Sequence, residues 1–508
     1  MNLPNLITET GLFCQAFFGL TATFCILLSA IPGPFLAKFT NAWRLVDVAK
    51  GRAHETHWAL HTRHGQYVRL GPTVVSVQNL EVLKTVYSIK KSYRKSAYYR
   101  VAQQMAEGRL APTLFSTMDE EHHSSIKRPV SATYAMSNVL AFEKGVDDTI
   151  KTLLGRLDKF ASAQQVCDIG KWLQFYAFDV IGKVTFGKPL GFLSEARDVD
   201  YIMESLIKAQ NYVAVIGQIP CLDYLLLKNP LTRFFGGGTG AIASFAIKCL
   251  QERLAKDPTH DEVMTDDFLR RFLAAKQKHP AIVTDRQVFQ YTLSNVTAGS
   301  DTTAIALRSI LYFLLKNPHC MALLQKELLN ARRRGNLSLP VKWKESQLLP
   351  YLSAVVKEAF RLHPPVGLLL ERVVPEEGLQ LPDGPFLPPG TTVGVNAWVV
   401  HRHPVFGENL ESFDPERWLQ RFEESAEDFN TRRSLMLSAS LTFGAGTRTC
   451  IGKSISLLEI YKTIPTLLLT YEFALNKNTR NWETWNSFFV RQSNVMVKLR
   501  KLHEEYIE

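Results

Sequence analysis

The sequence predicts a mainly α protein with small β-sheets, preceded by one transmembrane helix at the amino terminus. Three observations lead there. Residues Thr10 to Ala37 carry no formal charge, a capped apolar pattern runs unbroken from Thr284 to Lys316, and β-type alternation is confined to short stretches such as Tyr67 to Val77. With 508 residues, 46% of them hydrophobic and 21% charged, the chain can bury a large core and is neither disordered nor collagen-like. The net charge of +11 is spread along the chain apart from short runs such as Arg332-Arg333-Arg334 and Lys90-Lys91. That distribution argues against a nucleic-acid partner, while a basic face for an acidic protein or an anionic membrane stays open. Seven cysteines, an odd number with no C-x-x-C pair, exclude a disulfide framework or zinc ribbon and fit a cytosolic body.

Within the uncharged run, Gly11 to Ile31 is dominated by Leu, Phe, Ile, Ala and Cys; as a helix it would measure ~30 Å, about the thickness of the bilayer hydrocarbon. A cleaved signal peptide is the competing reading. No Lys or Arg precedes the run, only Glu9, and Leu28 stands where cleavage needs a small residue, so a retained anchor is expected. Positive charge begins at Lys38, Arg44 and Lys50, which places the body on the cytoplasmic side. Pro32-Gly33-Pro34 then forms a stiff hinge, giving an anchor with its hinge over residues 1–38 and one domain over 39–508. No repeat or linker divides that domain.

Tyr67 to Val77, interrupted by Gly71-Pro72, reads as a hairpin, and most of the remainder reads as helix. Thr284 and Gln287 form a capping box for a helix of ~45 Å that Asn317-Pro318 stops. Its middle, Ala298-Gly299-Ser300-Asp301-Thr302-Thr303, is too polar for a plain core helix. Asp301 could face a water cavity and Thr302 could bond back to a carbonyl; functionally, an acid beside an alcohol in a loosened apolar helix suits proton delivery. A second feature is Phe443-Gly444-Ala445-Gly446-Thr447-Arg448-Thr449-Cys450-Ile451-Gly452 ahead of an apolar helix. A buried structural cysteine is one account. The other is a metal-binding thiolate whose pKa the helix end lowers, with Arg448 holding an anionic arm of a cofactor. Nucleotide loops fit poorly: Gly446 and Gly452 are one residue too far apart for a phosphate loop, and Gly236 to Gly240 lacks the dinucleotide spacing. Glu358 and Arg361 share a face of a mostly apolar helix, so their charges need further partners, for which Arg417 in Pro415-Glu416-Arg417-Trp418 is a candidate. Proline 465 predicts a kink or early end in the helix after Cys450.

Taken in this order and spacing, the A-G-x-D-T-T segment at Ala298, E-x-x-R at Glu358, P-E-R-W at Pro415 and F-x-x-G-x-R-x-C-x-G at Phe443 resemble the cytochrome P-450 family of haem-thiolate monooxygenases. The resemblance spans essentially the whole chain. Asp119 to Met136, Glu371 to Pro375 and Asn396 to Val400 are most similar to fungal members of the pisatin-demethylase and benzoate-hydroxylase type. It implies the P-450 fold and haem b, with Cys450 as axial thiolate and Phe443, Gly444 and Gly446 shaping its loop. Arg448 and Arg372 become propionate partners, and His123, Lys127 and Arg128 stand where the family often presents W-x-x-x-R, leaving open which of them reaches the haem. Glu358, Arg361 and Arg417 become a structural network, and Asp301 with Thr302 the catalytic pair.

The implied activity is insertion of one oxygen atom into a hydrophobic small molecule by hydroxylation, demethylation or epoxidation, in fungal secondary-metabolite biosynthesis. Detoxification or catabolism of an aromatic compound such as a plant phenolic is the alternative, as is a haem-thiolate isomerase or dehydratase; a non-enzymatic haem carrier is a further contrast. Implied partners are NADPH-cytochrome P-450 reductase, with room for cytochrome b5, and the lipid bilayer of the endoplasmic reticulum. The short stretch after Cys450 is expected to hold no fused reductase. Expected pocket segments are Tyr98 to Phe115, Val213 to Leu227, Val366 to Leu370 and Trp485 to Phe489, all largely apolar.

Overall fold

The computed structural model describes residues 27–90, 93–106, 109–229, 241–255, 266–476 and 481–502. Most of the expected anchor, residues 11–26, and the glycine run Gly236 to Gly240 lie outside them. Among the described residues no helix is long and apolar enough to cross a membrane. Leu28 and Ile31, expected at the end of the span, are buried in a core cluster with Val75, Val77 and Leu387. The hinge is docked too: the Arg69 amide donates to the Pro32 carbonyl at 2.8 Å, and a Cβ on Gly33 would lie 2.1 Å from the Arg69 carbonyl oxygen. Leu28, Ile31 and the hinge are thus packed against the body.

The elements that position the site, in chain order, are α1 (Ala53–His64), β1 (Tyr67–Gly71), β2 (Val74–Val77), α2 (Glu120–Ser131), β3 (Cys167–Asp168), α3 (Ile169–Phe186), α4 (Ile202–Ile216), α5 (Asp285–Lys316), α6 (Pro350–Leu362), β4 (Arg372–Val373), β5 (Thr392–Gly394), α7 (Lys453–Thr470), β6 (Tyr471–Leu475), β7 (Glu483–Ser487), β8 (Phe489–Ser493) and β9 (Met496–Lys501). The fold is mainly helical with small sheets, as expected. The hairpin forms where predicted, β1 antiparallel to β2, and β5 joins β2 in parallel, giving the sheet order β1-β2-β5-β4. A second sheet has the order β6-β9-β3, and β7-β8 form a separate hairpin that meets Val366 through Phe489.

Thr284 caps α5, its hydroxyl accepting from the Gln287 amide at 3.3 Å, and the helix ends at Asn317. Its 32 residues span about 48 Å at 1.5 Å per residue, enough to cross the body. Helix α3, in which nearly every residue is buried, packs against α5, and α7 packs on its other side. The early end expected at Pro465 does not occur. Helix α7 runs on to Thr470, and every residue from Leu458 to Leu469 is buried, so packing on all sides compensates for the one lost hydrogen bond.

Six histidines are buried away from water. Burial, the first cause in each case, lowers His54 to about 2, His57, His123, His363 and His401 to about 3, and His61 to about 4, from 6.5. Their folded pKa values lie below the unfolded one, so the unfolded chain binds the extra protons and stability falls as pH drops below about 6.5. Each fully titrating histidine contributes about 1.4 kcal/mol per pH unit in that window. Burial also raises Asp47, Asp147, Asp179, Glu327 and, furthest, Glu459, which works in the opposite direction, but the ordinary carboxylate range lies below the histidine window. The thermal midpoint should be highest near neutrality and fall steeply between about pH 6.5 and pH 5; a flat profile there would contradict the neutral buried histidines.

Candidate active site

The site is built around Cys450. Its loop is folded by the Cys450 amide donating to the Phe443 carbonyl at 2.8 Å and the Gly444 amide to Leu441 at 2.9 Å. Gly446 has φ of +68°, and a Cβ there would lie 2.2 Å from the Tyr87 carbonyl oxygen, so glycine is required on both counts. Helix α7 begins three residues after the cysteine, as the sequence predicted, with the Gly452 and Lys453 amides directed at the sulfur. Burial nevertheless outweighs these donors and raises the thiol above 9, the reverse of the expected net lowering. The sulfur is deep in the body yet open to an internal cavity.

Beneath the loop lies the network expected from Glu358, Arg361 and Arg417. The wholly buried Glu358 carboxylate accepts from Arg361 Nη2 (2.7 Å) and Nε (2.9 Å), Arg417 Nε (2.9 Å), Trp418 Nε1 (2.9 Å) and the Asp414 amide (3.1 Å). Arg361 also donates to the carbonyls of Leu410, Ser412 and His401. The His401 ring then accepts from the Leu441 amide at 2.8 Å through Nε2, which connects the ion network to the start of the cysteine loop.

A cavity of about 280 Å³ lies over Cys450. Its walls are chiefly apolar, from Ile181, Ala306, Phe360, Val366 and Phe488 among others, and Phe443 lines it edge-on to Phe360. Against this background stands a cluster of cations: Arg372, Lys127, Arg448 and Lys95, with neutral His123. Asp119 caps α2, and the four-residue spacing turns His123 and Lys127 to the cavity, while Arg128 is exposed and does not line it. Lys127 Nζ donates to the Thr447 carbonyl at 2.8 Å. Arg448 was expected to hold a cofactor carboxylate; here its fork grips Glu120, Nη2 to Oε1 at 2.7 Å and Nε to both oxygens. Arg372 donates to the carbonyls of Glu371 (2.9 Å) and Leu370 (3.4 Å).

The acid and alcohol of α5 part company. Ser294, Ala298, Thr302 and Ala306, spaced by four, line the cavity, and Thr302 Oγ1 donates to the Ala298 carbonyl at 2.8 Å. Asp301, about 100° round the helix, is buried behind it and does not line the cavity. Its two oxygens accept from Gln174 Nε2 of α3 (2.8 Å) and Gln210 Nε2 of α4 (2.9 Å). The one carboxyl on the cavity wall is Glu459 of α7, which sequence reasoning missed; its Oε2 has no partner and burial raises its pKa well above 4.5. Lys95 was missed as well. Of the expected pocket segments, Tyr99, Phe115, Val366, Leu370, Phe488 and Phe489 do line the cavity, but none of Val213 to Leu227 does.

Among the described residues no three His, Cys, Asp or Glu side chains gather as a metal site. A metal on Cys450 must therefore arrive with its own ring of donors. One sulfur, a chiefly apolar chamber and a cluster of cations fit a haem with its two carboxylates.

The comparisons agree with that donor set. The chain matches the family model described as cytochrome P450 over residues 32–499. It is 42% identical over 478 residues to the cytochrome P450 monooxygenase cicH of Emericella nidulans, covering 93% of this chain and 94% of that one. A cytochrome P450 monooxygenase of Aspergillus terreus is 41% identical over 452 residues, 88% and 90% of the two chains, and pkfB of Emericella nidulans is 38% identical over 480 residues, 93% and 92%. The protein belongs to the cytochrome P450 family and is an oxidoreductase, a monooxygenase. Membership brings haem b on a cysteine thiolate, electrons from a reductase and a hydrophobic substrate.

Replacing Glu358 by Gln leaves two buried guanidinium groups facing a neutral amide. The expected cost is about 3–5 kcal/mol, read as a lower urea midpoint together with loss of bound haem; wild-type stability would mean that the network is not what braces the loop.

Proposed function

We propose that Cys450 is the axial thiolate of this monooxygenase and that the chain oxidises a hydrophobic, small aromatic or polyketide-like metabolite of fungal secondary metabolism. The observation that carries the reading is a sulfur opening into a chiefly apolar chamber whose charged side chains are Lys95, Lys127, Arg372 and Arg448 against the one carboxyl of Glu459. When bound, haem supplies oxygen activation, and donation from the thiolate favours cleavage of the oxygen-oxygen bond. The chain's own residues do the rest. Arg448, Arg372, Lys127 and His123 stand at the cationic part of the wall, Phe443, Gly444 and Gly446 shape the loop, and Phe115, Val366 and Phe488 exclude water from the substrate.

Thr302 presents its hydroxyl at the cavity wall, and Asp301 is its proton source from the next position. Their presence favours oxygen activation over a haem-thiolate isomerase or dehydratase, which needs no proton delivery. The similarity to pisatin-demethylase and benzoate-hydroxylase types supports an aromatic substrate, and on that footing detoxification or catabolism of a phenolic is the second reading. Electrons come from NADPH through a separate reductase, with cytochrome b5 as a possible second donor. The apolar run that begins at Gly11 serves as a single-pass anchor in the endoplasmic reticulum membrane, with the body from the proline hinge onward cytosolic. Exposed Phe35, Leu36 and Phe39 beside the hinge are suited to the membrane surface.

Cys450→Ser should leave folded protein without a thiolate-ligated haem, because serine supplies no alkoxide at neutral pH. The reduced carbon-monoxide difference spectrum is the measurement, and a normal thiolate Soret band in the variant would overturn the assignment. Substrates are to be found by Soret shifts across a panel of aromatic and polyketide metabolites. With one in hand, Thr302→Ala should lower the ratio of product to NADPH consumed several-fold, the rest leaving as hydrogen peroxide, whereas Asp301→Asn should slow the whole cycle. Unchanged ratio and rate in both would favour the isomerase reading.

A further inference from the structure

We propose that Ser294 is a specificity-determining residue whose hydroxyl, on the cavity wall, hydrogen-bonds a neutral oxygen substituent of the substrate, a phenol hydroxyl or a ring carbonyl. The proposal rests on the monooxygenase reading above and adds to it the group on the substrate that the chain recognises.

The first support is a hydroxyl left free. The serines and threonines of α5 are Thr292, Ser294, Thr297, Ser300, Thr302, Thr303 and Ser309. Thr292, Thr297, Ser300, Thr302 and Ser309 each donate back to a carbonyl three or four residues earlier, the ordinary resort of such a hydroxyl inside a helix. Thr303 instead reaches Ser456 Oγ at 3.1 Å. Ser294 alone of the set makes no hydrogen bond among the described residues, and its side chain lines the cavity.

The second is the wall around it. Thr302, Thr303, Thr442, Thr449 and Ser456 also line the cavity, and every one of them has a partner. The polar side chains nearest to Ser294 in the chain are spent as well: the Tyr291 hydroxyl donates to the Ile126 carbonyl, and Asn295 Oδ1 accepts from the Tyr134 hydroxyl at 2.6 Å. Alanine would form the helix better than serine and suit a chiefly apolar chamber. A free hydroxyl there discriminates instead. It is neutral and both donates and accepts, so its natural partner is a neutral oxygen; a ligand that lacks one leaves it unpaired in a dry cavity.

The third is position. Ser294 precedes Thr302 on α5 by eight residues, about 12 Å along the axis at 1.5 Å per residue, with Ala298 between them on the same wall. With Thr302 at the reacting end, the recognised oxygen is remote from the carbon that is oxidised. The substrate is thereby held at one end and attacked at the other.

The test uses the full-length holoprotein and two pairs of imidazole ligands, whose ring nitrogen binds haem iron and reports through a Soret shift. Phenylimidazole is compared with hydroxyphenylimidazole, and biphenylylimidazole with hydroxybiphenylylimidazole, the longer pair reaching further along α5. Dissociation constants are measured for wild type, Ser294→Ala and Ser294→Cys. In wild type the hydroxyl should tighten binding about fivefold in at least one pair, the size of a single neutral hydrogen bond. That advantage should vanish in Ser294→Ala while the parent compound binds as before, and Ser294→Cys, close to serine in size but a weak donor, should follow alanine. A hydroxyl advantage that survives both substitutions, its absence from wild type in both pairs, or equal weakening of both members of a pair would each overturn the proposal. A wild type without a thiolate carbon-monoxide band would instead sink the underlying monooxygenase reading, so the two failures are distinguishable.

Discussion

The Glu358 carboxylate is the constraint on which the remainder of the site depends. A fully buried anion is tolerable only when its lone pairs are all engaged, and here two guanidinium groups, an indole and a backbone amide converge on it. Those donors come from α6 and from the Asp414-to-Trp418 turn, so the demand of one charge draws together segments more than fifty residues apart. Arg361 extends the order further by holding the His401 carbonyl while the ring of that histidine receives the Leu441 amide. Because Nε2 must accept, the ring is neutral with its proton on Nδ1, and the low pKa of about 3 is what maintains that state. The cysteine loop starts two residues later. Its shape is thus set by a chain of polar contacts that has no part in the chemistry.

Above that base the electrostatics are arranged for a ligand. The histidines near the site are kept neutral, the acid Glu120 is spent on Arg448, and Glu371 is spent on Arg44. What remains is positive charge lining an otherwise apolar chamber, together with a sulfur whose ionisation burial opposes. An iron carried by a ring with two carboxylates answers both demands at once: the metal stabilises the thiolate, and the carboxylates neutralise the cations.

The sequence was most informative where chemistry forces a fixed spacing. The glycines and cysteine of the loop, the E-x-x-R pair and the capped helix from Thr284 all stand where their residues require. It was least informative where the decisive quantity is direction. Nothing in Ala298 to Thr303 says which of two adjacent side chains faces the cavity, since neighbours on a helix diverge by about 100°. Lys95 and Glu459 were invisible for a related reason: a lone charged residue usually points to water, and only tertiary burial turned these two inward. Pro465 failed as a helix breaker because complete burial of α7 outweighs local propensity. The apolar residues of Val213 to Leu227 announced a pocket wall, yet Leu225, Leu226 and Leu227 are exposed on the outer surface.

The position of Asp301 shows how the fold can keep a charge ready without leaving it in the reaction chamber. Its two oxygens are held by the amides of Gln174 and Gln210, and the carbonyl ends of those amides accept in turn from Arg308 and Arg491. Each glutamine is therefore oriented from both sides, and the carboxylate's charge is balanced by arginines it does not touch. A direct Asp–Arg pair would hold the acid more tightly; an interposed amide is more easily displaced by water. Since Gln174 belongs to α3 and Gln210 to α4, while Thr302 sits one residue on along α5, the acid's freedom is tied to how closely α4 lies on α5. The polar pair that the sequence placed side by side is in this way divided by the helix into an alcohol at the chamber wall and an acid behind it, and the packing of a neighbouring helix sets the connection between them.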